Sequence, residues 1–244
     1  MAQYKTIIVS DIHIPSPDNK SREFLLWLKN QTFDQLIFNG DIIDGRHIKL
    51  FRWWKRRHVN RRKDIIEVTK DQGAKFTYIL GNHDINVDKI TPRLASEVEI
   101  VQDMLYTSGK KTYYICHGQQ FDRWENKLTI VSTISFCIAT FLYRLNRIYN
   151  NMRKKLWRKH RSLIASLKRI AKTVMVGWPT LFHHKLIRKC KAKKVQGIIC
   201  GHLHKAEISK VGRYEYLNSG DQIELCTALG ETSNGKREVI DTRK

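Results

Sequence analysis

Five short segments hold most of the chemically capable residues of this 244-residue chain. They are Ser10-Asp11-Ile12-His13, Asn39-Gly40-Asp41, Gly81-Asn82-His83-Asp84, Cys116-His117-Gly118 and Gly201-His202-Leu203-His204. Each follows a short apolar run, as a polar site at the end of a strand does. Together they offer Asp11, His13, Asp41, Asn82, His117, His202 and His204, a donor set for two metal ions. Carboxylate with imidazole suits Mn²⁺, Zn²⁺ or Fe²⁺ better than Mg²⁺, which prefers oxygen alone. Mn²⁺ is the expected ion, with Zn²⁺ or Fe²⁺ as alternatives. A carboxylate can bridge two ions, and Asp41 is the natural candidate. Two metals roughly 3.5–4 Å apart can clamp both sides of an in-line phosphoryl displacement.

The elements that must position these residues are strands. Residues 5–10 are rich in β-branched side chains and read as a buried strand. Further strands are expected at 35–39, 76–80, 98–106, 111–116 and 196–200. A helix is expected at 21–29 with Ser21 as its cap, and a very basic one at 52–72. Strand, site, helix, strand, site is the rhythm of an open α/β sheet, which binds ligands beyond its strands' carboxyl ends. The run from 207 to 240 is expected to form an antiparallel second sheet. Near Asn126 the rhythm breaks, and residues 125–194 are expected to form a helical insertion within one domain spanning 1–244. Pro179 is read there as a helix breaker, followed by a basic helix to about Lys194.

Charge sets this insertion apart. The chain carries a net charge of +22. From Asn126 to Ala206 it has 19 Lys and Arg and no Asp or Glu. So strong a field attracts phosphates, nucleic acid or an anionic membrane surface. Residues 128–143 are uncharged, but 16 residues fall short of the roughly 18–20 that span a membrane. An apolar stripe runs through Val131, Ile134, Ile138, Phe141 and Leu145 at helical spacing. Beside dense Lys and Arg, it suits either the buried face of a hairpin or an interfacial lid that dips into lipid. The five cysteines form no C-x-x-C pair, which suggests free thiols in a reducing compartment. No signal peptide is visible, so the expected setting is cytoplasmic, at the inner membrane face.

The order Asp-x-His, Gly-Asp, Gly-Asn-His-Asp, His-Gly and Gly-His-x-His resembles the calcineurin-like metallophosphoesterases. That resemblance implies a four-layer α/β sandwich of two mixed sheets flanked by helices, carrying the basic helical insert as a lid. It implies that Asp11, His13, Asp41 and His204 hold one ion, and that Asp41, Asn82, His117 and His202 hold the other. His83 would protonate the leaving oxygen or stabilise phosphoryl charge, with Asp84 orienting it. Asp41 through Gly45, His117 to Asp122, Gly201 to Glu207 and Asn218 to Leu229 resemble the UDP-2,3-diacylglucosamine diphosphatase-like branch. Its members cleave the pyrophosphate of a lipid-linked nucleotide sugar and also carry a helical insert. This chain departs from them in having His83 where the diphosphatases have Arg.

Around this set, Arg46 and Asp122 are candidate substrate contacts. Asp44, Asp122 and Asp221 are candidates either for holding ligand histidines or for capping turns. The remaining histidines, His47, His58, His160, His183 and His184, are read as surface or helix residues. A nuclease of the same superfamily is the rival enzyme. Nucleic acid is disfavoured, because only Trp157 and Tyr149 interleave the basic runs to stack bases. A non-catalytic scaffold would have lost ligands, and here every one is present.

Overall fold

In the first strand, β1 (Gln3–Val9), Ile7 and Val9 face one apolar cluster and Ile8 faces another. The strand is thus buried on both sides, which explains why its sequence is an almost unbroken apolar run. The computed structural model describes residues 3–16, 19–45, 64, 67–84, 98–121, 149, 152 and 178–243. Two units are distinguished, residues 1–119 with 186–244, and residues 120–185.

Both sheets belong to the first unit. The remaining strands are β2 (Thr32–Asn39), β3 (Lys75–Ile79), β4 (Glu99–Val101), β5 (Asp103–Ser108), β6 (Lys111–Cys116), β7 (Gly197–Cys200), β8 (Glu207–Val211), β9 (Tyr214–Asn218), β10 (Thr227–Glu231) and β11 (Arg237–Asp241). One sheet has the order β11-β10-β1-β2-β3-β4, and the other β5-β6-β7-β9-β8. In the first, β1 to β4 run parallel and β10 is antiparallel to β1. In the second, β6, β7 and β9 run parallel, with β5 and β8 antiparallel at the edges.

Two apolar layers hold this arrangement. Ile8, Ile37, Ile79, Ile115, Ile199 and Leu217 come from both sheets and pack into one cluster between them. Ile7, Val9, Leu36 and Phe38 face the opposite side, where Phe24, Leu25, Trp27 and Leu28 of helix α1 (Ser21–Leu28) cover them. Ile37 is completely buried, and truncating such a side chain to Ala costs about 2–5 kcal/mol.

Several expected elements are redrawn. Residues 98–106 are not one strand: β4 ends at Val101, β5 begins at Asp103, and the two join different sheets. The tail does not stay in the second sheet either, because β8 and β9 pair there while β10 and β11 extend the first. Residues 222–225 are turn rather than strand. The Asp221 carboxylate accepts the amides of Ile223, Glu224 and Leu225 at 2.9, 2.6 and 3.0 Å, which removes them from any ladder. Ser21 is the first residue of α1 rather than its cap, and its amide donates to the Asn19 side chain at 3.2 Å. Most of the helix expected to end before Pro179 lies outside the described residues, and Pro179 itself belongs to the basic helix expected after it. It lies in the first turn of α2 (Trp178–Lys193), where a missing amide costs nothing. Of the basic helix expected at 52–72, residues 67–71 are helical, and most of the remainder lies outside the described residues. So does most of the expected lid at 125–194. Leu186 and Cys190 of α2 are completely buried.

Candidate metal centre

Of the parallel strands, β1, β2, β3, β6, β7 and β9 lead into the motif loops. Their carboxyl-terminal loops hold the motif residues, as open α/β sheets do. The loops are tied to one another through the backbone. Asp11 N donates to Gly40 O at 3.0 Å, His13 N to Asp41 O at 2.9 Å and Gly201 N to His117 O at 2.9 Å.

The turns are tight and strained. Asp11, His13, Asp41, His202 and His204 all have positive φ, between 49° and 62°. Asp and His enter this left-handed region more readily than most residues, yet each such residue costs on the order of 1–3 kcal/mol. Five in one place mark a site the surrounding structure must over-determine. Glycines make the close approaches possible. A Cβ at Gly40 would overlap the His117 ring, one at Gly81 would overlap the Asp41 carboxylate, and one at Gly201 would meet Ser10 and Asp11.

Three histidines repeat one geometry, in which Nδ1 rests on an acceptor and Nε2 turns towards the shared carboxylates. His117 Nδ1 lies 2.8 Å from Asn39 O, and its Nε2 lies 3.1 Å from Asp41 Oδ2. His204 Nδ1 lies 3.4 Å from Asp221 Oδ2, and its Nε2 lies 3.4 Å from Asp11 Oδ1. His13 Nδ1 lies 3.6 Å from Asp44 Oδ2, and its Nε2 lies 3.8 and 3.9 Å from Asp11 and Asp41. Holding the far nitrogen fixes tautomer and ring direction, as outer partners do for metal-bound imidazoles.

The donors fall into three overlapping groups able to hold an ion: Asp11 with His13 and His204, Asp41 with His117 and His202, and His13 with Asp41 and His83. Asp41 and His13 each belong to two of them. Asp11 Oδ1, His13 Nε2 and His117 Nε2 are buried and accept or donate no hydrogen bond within the protein. Buried polar atoms are ordinarily paired, and these three atoms converge on one space. A divalent cation fits both the donor set and these orphaned atoms.

The electrostatics agree. Burial works against ionising Asp41, but His117, His83 and His13 outweigh it and hold the carboxyl well below the usual carboxylate range. Burial likewise opposes a charged His117, yet the Asp41 and Asp11 carboxylates raise its pKa to about 10. Without metal, the buried carboxylates draw a proton onto the His117 ring. With metal, the ion supplies that positive charge instead.

His83 and Asp84 divide differently from expectation. The carboxylate facing the His83 ring is Asp44, whose Oδ1 lies 3.2 Å from Nδ1. Asp84 instead accepts the amides of Asp41, Ile43 and Gly81 at 2.7, 2.9 and 2.8 Å, and the Tyr78 hydroxyl at 2.6 Å. It is the tie between the β2 and β3 loops. Burial and then the Asp41 carboxylate push its pKa up to about 6, against the pull of Tyr78 and the amides. Asp44 and Asp221 both face ligand-candidate histidines, and Asp221 caps its turn as well. Asn82 sits in the same loop as His83, half-buried. Arg46 and Asp122 lie outside the described residues. The sequence gives no role to Tyr78 or to the Asn39 carbonyl. The only signal was their place in or at the end of a strand directly before a motif.

The calcineurin-like phosphoesterase profile matches residues 4–206. No protein of curated function matches the chain. Among solved structures, a novel archaeal phosphodiesterase is similar at 15% identity and a TM-score of 0.46, over 96% of this chain and 98% of that one. Vacuolar protein sorting 29 from Cryptosporidium parvum is similar at 11% identity and a TM-score of 0.46, over 96% and 94%. A conserved uncharacterized protein from Streptococcus pneumoniae, described as a predicted phosphoesterase, is similar at 12% identity and a TM-score of 0.41, over 97% of each chain.

Proposed function

This chain belongs to the calcineurin-like phosphoesterase family of metal-dependent phosphoester hydrolases, and from that premise we propose that it cleaves a phosphodiester or pyrophosphate bond with two divalent ions, most readily Mn²⁺. The observation that carries this reading is the convergence of Asp11 Oδ1, His13 Nε2 and His117 Nε2, buried and without a hydrogen bond, beside a carboxylate shared by two donor groups. Asp11, His13, Asp41 and His204 are assigned to one ion, and Asp41, Asn82, His117 and His202 to the other. Bound divalent ions would neutralise phosphoryl oxygens and lower the pKa of water.

The other groups have roles of their own. Asp44 holds His83 through Nδ1, and Nε2 is the nitrogen assigned to protonate the leaving oxygen. The His83 amide donates to Asp41 Oδ1 at 2.7 Å, so the proton donor and the shared carboxylate keep a fixed separation. Asp84 keeps the two loops in register. Arg46 and Asp122 remain the proposed substrate contacts.

The finer reading is a lipid-linked nucleotide-sugar substrate, of the UDP-2,3-diacylglucosamine kind, met at an anionic membrane surface. The charge supports it. Arg188, Lys191, Lys193 and Lys194 lie exposed on and just after α2, and each basic residue near an anionic surface contributes on the order of 1 kcal/mol. No described helix is long and apolar enough to cross a membrane. A second reading is a general phosphodiesterase. It is supported by the described residues of the centre, each of which is a ligand candidate, a proton-transfer group or their support, a set that serves any phosphodiester.

The test is metal analysis of the purified protein, followed by hydrolysis of bis(4-nitrophenyl) phosphate and of a nucleotide-diphosphate lipid before and after chelation. Activity that disappears with chelation and returns with Mn²⁺ is expected. Chelation without effect sinks the metal reading. Indifference to anionic liposomes and to the lipid substrate, with the simple diester still cleaved, sinks the lipid reading alone.

A further inference from the structure

The segment after β9 lies beyond residue 206, where the family match ends, yet it reaches the centre. Asp221 is 2% exposed, and its two oxygens do separate work. Oδ1 alone accepts the three amides of Ile223, Glu224 and Leu225. A turn cap needs nothing more. Oδ2 takes no part in the turn and lies 3.4 Å from His204 Nδ1.

The turn itself is clasped to the rest of the fold. Gln222 N donates to Asp11 O at 3.1 Å, and Lys20 N to Gln222 O at 2.8 Å. The Thr242 hydroxyl, just past β11, donates to Gln222 Oε1 at 3.0 Å and is also 3.0 Å from Cys226 O. Asp221 is thereby fixed to the Asp11 loop and to the end of the last strand at once.

We propose that Asp221 is a positioning residue, contributed by the C-terminal clasp, which keeps the proton of His204 on Nδ1 and so presents Nε2 to a divalent ion beside Asp11. This rests on the reading that His204 is a metal ligand. Asp221→Asn separates the two duties of the carboxylate. The Asn oxygen still caps the turn, but its NH₂ group faces His204 Nδ1. That forces the proton onto Nε2, the nitrogen that must bind.

Calorimetric titration of metal-free protein with Mn²⁺ tests this. Loss of an outer partner of this kind typically lowers metal affinity about 10–100-fold. In Asp221→Asn that loss is expected at one site only, with the affinity of the other site unchanged. Asp221→Glu, which restores a carboxylate, should recover part of it. A second measurement needs no variant. Imidazole ¹⁵N spectra of the Zn²⁺-loaded wild-type protein should show His204 protonated at Nδ1. Wild-type affinity in Asp221→Asn, or an Nε2-protonated His204, overturns the proposal and leaves the metal centre standing. A wild-type protein that binds no ion overturns both.

Discussion

Gly40→Ala is the substitution whose consequence can be worked furthest from the structure. Gly40 has φ +84°, and a Cβ built on it overlaps Nδ1, Cγ and Cβ of His117. Three costs follow. A non-glycine residue in the left-handed region costs roughly 1–2 kcal/mol. Overpacking a tight site costs about 1–3 kcal/mol. His117 must move, which gives up its 2.8 Å bond to Asn39 O, worth about 0.5–1.5 kcal/mol. The sum is about 2.5–6.5 kcal/mol, a large part of the roughly 5–15 kcal/mol that holds a domain together. Because the displaced ring is a ligand candidate, metal stoichiometry should fall as well. Gly73→Ala is the control. Its φ is +62° with nothing within 4 Å of the added Cβ, so it should cost only the backbone term and leave metal content intact. Urea unfolding with metal analysis reads both effects. Equal destabilisation by the two substitutions, with full metal content in Gly40→Ala, would refute the reasoning from His117.

Asp84→Asn sets two of its four donors against an NH₂ group. It should lower unfolding stability by about 2 kcal/mol, two charge-assisted bonds less the relief of a disfavoured buried charge. Urea unfolding of the metal-free protein checks this, and unchanged stability with lost turnover would return Asp84 to a role at the His83 ring. His83→Arg should abolish diester hydrolysis while metal stoichiometry stays at the wild-type value. A loss of one ion would place His83 with His13 and Asp41 as a ligand. Glu215 gives a pH prediction away from the centre. Burial raises its pKa, but Lys111, Tyr113 and Arg237 outweigh that and lower it from 4.5 to about 2. A depressed acid contributes stability that is present above pH 4.5 and lost as pH falls towards 2. Glu215→Gln should flatten stability against pH in that window and lower it above, and an unchanged acid slope in thermal unfolding would show that the cluster is not coupled to folding.

The residue types alone determined the donor set, because imidazole and carboxylate after buried apolar runs have few other uses in such number. They determined most of the strands for the same reason: β1, β2 and β7 are buried on both faces, so their apolar runs need no partner to be recognised. Sequence patterns are local, and here they stopped at three points. Residues 98–106 form one β-rich run, but only packing shows that β4 and β5 enter different sheets. Gln222 to Ala228 looks like one strand until the Asp221 carboxylate takes the amides of its first half. Gly-Asn-His-Asp places Asp84 next to His83 in the chain, yet the turn sends Asp84 back onto the backbone amides and brings Asp44 of another loop to the ring. Which nitrogen a histidine offers depends on what its other nitrogen meets. Asn39 and Asp44 come from the end of β2 and Asp221 from the loop after β9, 182 positions on from Asn39. Only the folding of two sheets onto a common edge brings them behind His117, His13 and His204.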